Sequence, residues 1–319
     1  MNEFDLIARF FRRQHDGEGV VLDNGDDCAV LDIEPEQQLV VSIDTMVAGV
    51  HFLASMPSRD LGYRALATAL SDLAAMGAQP RWFTLALTLP AIDEAWLAGF
   101  SEGLFELADK HQMALIGGDT TRGPLTISIQ VHGVVTRGQY LSRAAAEEGD
   151  IIAVTGSLGD AAAGLRVAQR QSLAETAEEA FLLRRFERPT ARIEEGLLLR
   201  DYSRCAIDIS DGLLADLGHI CAGSGLGAEI EAALLPCSSA LSTVNSNERL
   251  EFQLRGGDDY ELCVTVAREN WSTLAAQFSS RDWPLTKIGR MVAGSGVCVH
   301  DGDEALSALP MSANGFKHF

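Results

Sequence analysis

Apolar, strand-like runs in this chain repeatedly lead into Gly- or Ser-rich turns that carry aspartate. The segments are Asn24-Gly25-Asp26-Asp27, Ser42-Ile43-Asp44, Gly117-Gly118-Asp119-Thr120, Asp208-Ile209-Ser210-Asp211 and Gly256-Gly257-Asp258-Asp259, with one more acid, Asp72, in a helix-like run. Any one of them reads as an ordinary turn residue, because Asp caps helices and tolerates left-handed backbone. Together they are harder to explain. Side-by-side acids such as Asp26-Asp27 and Asp258-Asp259 repel when buried. Several hard divalent cations relieve the repulsion and then attract phosphate. The pattern points to Mg²⁺-dependent phosphoryl chemistry.

With 319 residues, 47% of them hydrophobic, the chain has enough material for two compact domains. A net charge of −20 argues against nucleic-acid binding through a basic surface and against anionic membranes. None of Cys28, Cys205, Cys221, Cys237, Cys263 and Cys298 makes a C-x-x-C pair or zinc-finger spacing. They read as small buried hydrophobes in a reducing cytosol. No apolar stretch reaches the roughly 20 residues that span a bilayer, and the N-terminus has no apolar leader pattern. The expected location is cytoplasmic, with no membrane and no nucleic acid as partner.

Periodicity predicts helices over 3–14, 59–76 (with Gly77 closing the second), 93–110 (capped by Asp93), 160–170, 176–200 with a break at Arg188-Pro189, 210–222 and 268–279. Strands are expected over 39–43, 82–89, 113–116, 125–135, 151–154, 205–209, 227–231, 260–266, 286–291 and 296–300. The polar residues 238–250 read as a loop. Strand 39–43 reads as buried and ending at Asp44. The fold class is α/β of the α+β type, in two lobes, 1–137 and 149–319, separated by a polar segment. Each lobe runs strand, acidic turn, helix, then further strands.

Phosphate-binding motifs are weak here. The P-loop pattern and G-x-G-x-x-G are both missing, and the three lysines lie outside Gly-rich turns. Gly117-Gly118-Asp119-Thr120 and Gly156-Ser157-Leu158-Gly159 are candidate backbone cradles. Arg122 and Arg143 are either phosphate contacts or surface ion pairs. Ser210 is either a helix cap or a ligand contact, and His51 either a turn residue or a substrate contact. In the helix before Gly77, Asp72 shares a face with the small residues Ala65, Thr68, Ala69 and Ala75. That face lets a ligand approach, or simply places the acid in solvent.

Taken in order, Gly25-Asp26-Asp27-Cys28-Ala29, Asp44-Thr45, Gly49-Val50-His51-Phe52, Leu70-Ser71-Asp72-Leu73-Ala74-Ala75-Met76-Gly77, Gly117-Gly118-Asp119-Thr120-Thr121, Asp208-Ile209-Ser210-Asp211-Gly212 and Gly257-Asp258-Asp259-Tyr260-Glu261-Leu262 resemble the thiamine-monophosphate kinases. That family is related to aminoimidazole ribonucleotide synthetase and selenophosphate synthetase, and the resemblance runs the length of the chain. It implies transfer of the ATP γ-phosphoryl group to thiamine monophosphate, with several Mg²⁺ ions per site. It implies Asp27, Ser42, Ile43, Asp44, Asp72, Asp119, Asp208 and Asp211 as metal ligands. Gly118, Asp119, Arg143 and Ser210 would hold ATP, and His51, Asp258 and Phe316 would face thiamine monophosphate. It also implies a homodimer in which N-terminal mixed sheets pair into a barrel, while a C-terminal α/β sandwich completes the site. Three positions depart from the family's usual residues: Asp258 for Glu, Ile43 for Thr and Ala69 for Asn. Rival readings are a related ligase working through a phosphorylated amide, and a non-catalytic acidic metal- or nucleotide-binding protein. The latter finds no EF-hand loop to support it.

Overall fold

The computed structural model describes residues 3–13, 17–23, 26–170, 174–302 and 304–306. The chain divides into two compact units, Met1–Leu73 with Ala78–Gln139, and Ala74–Gly77 with Tyr140–Phe319.

The first unit contains α1 (Glu3–Phe10), β1 (Val20–Leu22), β2 (Val30–Leu31), β3 (Gln37–Val47), α2 (Ser58–Ala75), β4 (Gln79–Leu89), α3 (Glu94–Lys110), β5 (Ala114–Arg122) and β6 (Thr126–Thr136). As predicted, Asp93 caps α3. Its Oδ1 accepts the N–H groups of Ala95 at 3.0 Å and Trp96 at 3.1 Å. The main sheet has the order β3-β6-β4-β5. Its pairs are antiparallel except β4 with β5. One face carries Phe83, Leu85, Leu87, Ile127, Ile129 and Val131, all buried, as are Leu66, Leu70 and Leu73 of α2.

Two expectations fail in this sheet. Strand β3 is neither buried on both sides nor finished at Asp44. It continues to Val47, and Leu39, Val41 and Ile43 are 44, 47 and 61% exposed. Alternation sends Ser42, Asp44 and Met46 to the other face. Strand β5 runs straight through Gly117-Gly118-Asp119-Thr120 instead of turning there. Its pairing with β4 slips by one residue between Leu115 and Gly117, a bulge, and then continues to Arg122. Gly118 permits this. Its φ is 155°, and a Cβ there would fall 1.9 Å from the Leu85 carbonyl oxygen.

The second unit contains β7 (Ile151–Thr155), α4 (Asp160–Gln169), α5 (Ala177–Glu187), α6 (Ile193–Leu199), β8 (Cys205–Asp208), α7 (Leu213–Ser224), β9 (Gly227–Glu231), α8 (Ser246–Arg255), β10 (Leu262–Val266), α9 (Arg268–Ser279), β11 (Leu285–Val292), β12 (Gly296–Asp301) and β13 (Glu304–Leu306). Its sheet order is β13-β12-β9-β11-β7-β10-β8, and β12 with β9 is the parallel pair among the described residues. Ile152, Val154, Ile207, Leu217, Ile230 and Ile288 belong to its core. The two sheets differ in strand number and order, and neither closes into a barrel. The fold is mixed α/β.

The polar stretch predicted as a loop holds a short 3-10 turn and α8. Asn245 Oδ1 accepts the Glu248 N–H at 3.0 Å, and its Nδ2 donates to Glu248 Oε2 at 3.1 Å, a reciprocal cap. All six cysteines are free. Cys205, Cys221 and Cys263 are buried, but Cys28 and Cys237 are exposed, against expectation. Among the described residues no helix is long and apolar enough to cross a membrane.

Candidate active site

In the first unit, Ser42 and Asp44 leave the covered face of β3, and Asp72 of α2 meets them there. Ser42 Oγ donates to Asp72 Oδ2. Burial pushes the Asp44 carboxyl up to about 6, and the neighbouring charge of Asp72 adds to the rise. Asp72 is therefore not a solvated surface acid. It is half-buried, beside a second acid that it destabilises. Ile43 points its side chain to the exposed face, so only its carbonyl is available as a ligand.

The register places Asp119 differently. Asp119 pairs with Ala86, Ala86 with Ser128 and Ser128 with Thr45. Asp44 occupies the adjacent row with Ile129, Leu85 and Gly118. Adjacent rows face opposite sides of a sheet. Hence Asp119 and Asp44 do not converge directly, although Gly118 and Asp44 share a row. Asp27 is exposed, and its N–H donates to Asp26 Oδ1 at 2.9 Å, so water screens that acid pair. His51 closes the turn after β3: its Nδ1 accepts the Val47 N–H at 2.9 Å, which puts the ring proton on Nε2.

In the second unit, two of the acidic segments lie side by side. Asp258 N–H donates to the Ser210 carbonyl at 2.8 Å, Tyr260 N–H to Ile209 at 2.9 Å, and Ile209 N–H to Glu261 at 2.8 Å. This pairing brings Asp258 next to Ser210 and Asp211. Asp258 and Tyr260 hold φ values of 70° and 51°, uncommon for residues with a side chain. Tyr260 Oη donates to Asp258 Oδ1 at 3.1 Å. Asp208, 8% exposed, ends β8. Ser210 does not cap α7. The N–H groups of Ser210, Asp211 and Gly212 instead donate to Asp216. Burial pushes Asp216 up to about 8. The charges of Asp208 and Asp211 add to this, and the N–H donors pull it back.

One further expectation in this unit is corrected. The Gly156-to-Gly159 turn is no open phosphate cradle. Gly156 N–H donates to Pro284 O, Leu158 N–H to Pro236 O, and Gly159 N–H to Asp259 Oδ2 at 2.6 Å. Asp259 also accepts the Ala161 N–H at 3.1 Å, so a carboxylate of the chain sits where an anion would bind. The Arg143 backbone packs beside Gly223, near the C-terminal end of α7. Phe316 lies outside the described residues.

The donors gathered in both units are hard oxygens, which suits Mg²⁺. No three described His, Cys, Asp or Glu side chains within either unit converge closely enough to cage an ion alone. Mg²⁺ tolerates this because it keeps water and phosphate among its ligands.

Residues 25–135 match the family model for AIR synthase related protein, N-terminal domain, and residues 147–302 match the C-terminal domain. The thiamine-monophosphate kinase of Escherichia coli K12 is 49% identical over 322 residues, covering 99% of this chain and 98% of that one. This chain belongs to the thiamine-monophosphate kinase family. The crystal structure of the family member from Stenotrophomonas maltophilia K279a superposes with a TM-score of 0.85 at 47% identity, over 93% of this chain and 94% of that one. AaThiL complexed with AMPPCP and TMP superposes with a TM-score of 0.79 at 30% identity, over 92% and 91%.

Within this kinase-family fold, a buried ionic network escaped sequence reasoning. Glu261, fully buried, receives Arg192 Nε and Nη2 at 2.6 Å each, Arg185 Nη2 at 2.8 Å and Thr155 Oγ1 at 2.7 Å. Burial alone raises the Glu261 carboxyl, but Arg192 and Arg185 outweigh it and hold it below its usual range. The network anchors one end of the Asp258 loop, and Asp259 anchors it in the middle.

Proposed function

We propose that this chain transfers the γ-phosphoryl group of ATP to thiamine monophosphate, giving ADP and thiamine diphosphate. The Asp44–Asp72 pair carries the reading: two hard carboxylates held against each other on an apolar sheet call for a cation. The full-length similarity to thiamine-monophosphate kinases, and a relative complexed with AMPPCP and TMP, support it.

The acceptor is a phosphate whose second pKa is near 6. It is largely dianionic at neutral pH, so transfer needs no general base. Asp27, Ser42, the Ile43 carbonyl, Asp44, Asp72 and Asp119 in the first unit, and Asp208 and Asp211 in the second, would hold Mg²⁺. Magnesium, when bound, supplies neutralisation and alignment of phosphate charge. Gly118, Asp119, Arg143 and Ser210 contact ATP in this reading. His51, Asp258 and Phe316 face thiamine monophosphate, with Asp258 held by its backbone bond to Ser210. The step is a direct in-line displacement: the acceptor oxygen bonds to the γ-phosphorus as the bond to the β–γ bridging oxygen breaks, with inversion at phosphorus.

The exposed Leu39, Val41 and Ile43 of edge strand β3 support a homodimer in which this face is covered by a second copy. The reading places the protein in the cytoplasm. Incubation with ATP, Mg²⁺ and thiamine monophosphate tests the proposal. ADP and thiamine diphosphate in equal amounts support it; ATP hydrolysis alone, or no turnover, rejects it.

A further inference from the structure

Asp216 has no role in the reading above, yet it sits at the centre of the acidic turn. It lies in the first turn of α7 and is 3% exposed. Its Oδ2 accepts three successive backbone N–H groups, from Ser210 at 3.1 Å, Asp211 at 3.0 Å and Gly212 at 3.0 Å. Successive amides that converge in this way form an anion-binding concavity. Here the chain fills it with its own carboxylate.

The same turn is pinned from two other directions. Gly212 has φ 109°, and a Cβ there would fall 2.8 Å from the Arg255 backbone. The Asp258 and Tyr260 N–H groups hold the Ser210 and Ile209 carbonyls. All the amide donors that Ser210, Asp211 and Gly212 present are thus spent on Asp216. The backbone of this turn is held by groups of the chain itself.

We propose that Asp216 is a positioning residue for phosphoryl transfer. By gathering three amides on one oxygen it fixes the Ser210-Asp211 turn before nucleotide and metal arrive, without touching either. The proposal rests on the kinase reading above.

The test compares Asp216→Ala, Asp216→Glu and Asp216→Asn with the wild type. It combines steady-state kinetics with calorimetric binding of Mg²⁺·AMPPCP. Alanine removes the acceptor, and glutamate keeps the charge but moves the oxygen by one methylene. Both should weaken Mg²⁺·AMPPCP binding and raise the KM for ATP about tenfold, the scale of losing hydrogen bonds to a charged group. Turnover at saturation should change far less than KM. Asparagine keeps an acceptor oxygen in place and should restore most of the affinity. The glutamate variant carries the test if alanine prevents folding. Unchanged affinity with only a lowered melting temperature would overturn the proposal, since that is what a purely structural cap predicts. An asparagine variant as weak as the glutamate one would also overturn it, by showing that charge rather than acceptor geometry matters. A wild type that binds Mg²⁺·AMPPCP but does not phosphorylate thiamine monophosphate would sink the kinase reading instead, and the calorimetric comparison would still stand.

Discussion

The two units handle crowded carboxylates in opposite ways. In the first, Asp44 and Asp72 face each other with the Ser42 hydroxyl between β3 and α2, and Asp44 is pushed up to about 6. Repulsion is left standing there. In the second, Asp259 is capped onto α4, Glu261 is clamped by two arginines, and Asp216 is wrapped by backbone amides. There the chain supplies partners of its own, backbone amides and arginines, although the charges of Asp208 and Asp211 still add to the rise of Asp216. The contrast separates a place that waits for a cation from a place built to hold a loop.

The largest effect should come from the first unit. Asp44→Asn or Asp72→Asn should lower turnover by a factor on the order of 10²–10³, the scale of losing a preorganised electrostatic partner. Far-UV circular dichroism should be unchanged. Near-wild-type activity in either variant at saturating Mg²⁺ would break the comparison. In the second unit the corresponding change should hit stability. Glu261→Gln leaves Arg185 and Arg192 buried without their shared carboxylate and should cost about 3–5 kcal/mol in urea unfolding.

A smaller, opposite effect sharpens the contrast. Asp44 has a folded-state pKa of about 6, above its ordinary 3.8. Its stabilising contribution is therefore complete at low pH and is lost as pH rises through about 6. Asp44→Asn removes that loss. The ligand-free variant should be more stable than the wild type by about 1–2 kcal/mol above pH 6, discounted for partial exposure. The gain should vanish near pH 4. Equal stabilities at pH 8 would mean that the acid pair is not strained. The smallest effect concerns Asp258. Asp258→Glu should shift the KM for thiamine monophosphate a few-fold, about 1 kcal/mol for one methylene, and should leave the KM for ATP nearly unchanged.

Much of this was legible in local sequence. The Asp93 cap, the α9 span and strand β9 follow from periodicity and turn residues alone, because their determinants lie within one element. Strand β3 misled because Leu39, Val41 and Ile43 are apolar on a face that the single chain leaves open. Strand β5 misled because Gly117-Gly118 reads as a turn until a parallel neighbour, β4, holds it extended. Helix α8 is too polar for a periodic signal, though Asn245 and Glu248 form a cap that could have marked its start. The acidic segments were found, but not their grouping. Backbone pairing brings Asp258 beside Ser210 and Asp211, whereas Asp119 and Asp44 are parted by register. The Glu261 network joins residues 69 to 106 positions apart, beyond any local pattern.

The account depends most on the Asp44–Asp72 pair being completed by a cation. Calorimetric titration of Mg²⁺·AMPPCP at pH 6, in two buffers of different ionisation enthalpy, counts the protons released on binding. Wild type should release about half a proton, since a group titrating near pH 6 is half protonated there, and Asp44→Asn should release correspondingly less. Binding with no proton release, or identical release and affinity in the variant, would contradict the account.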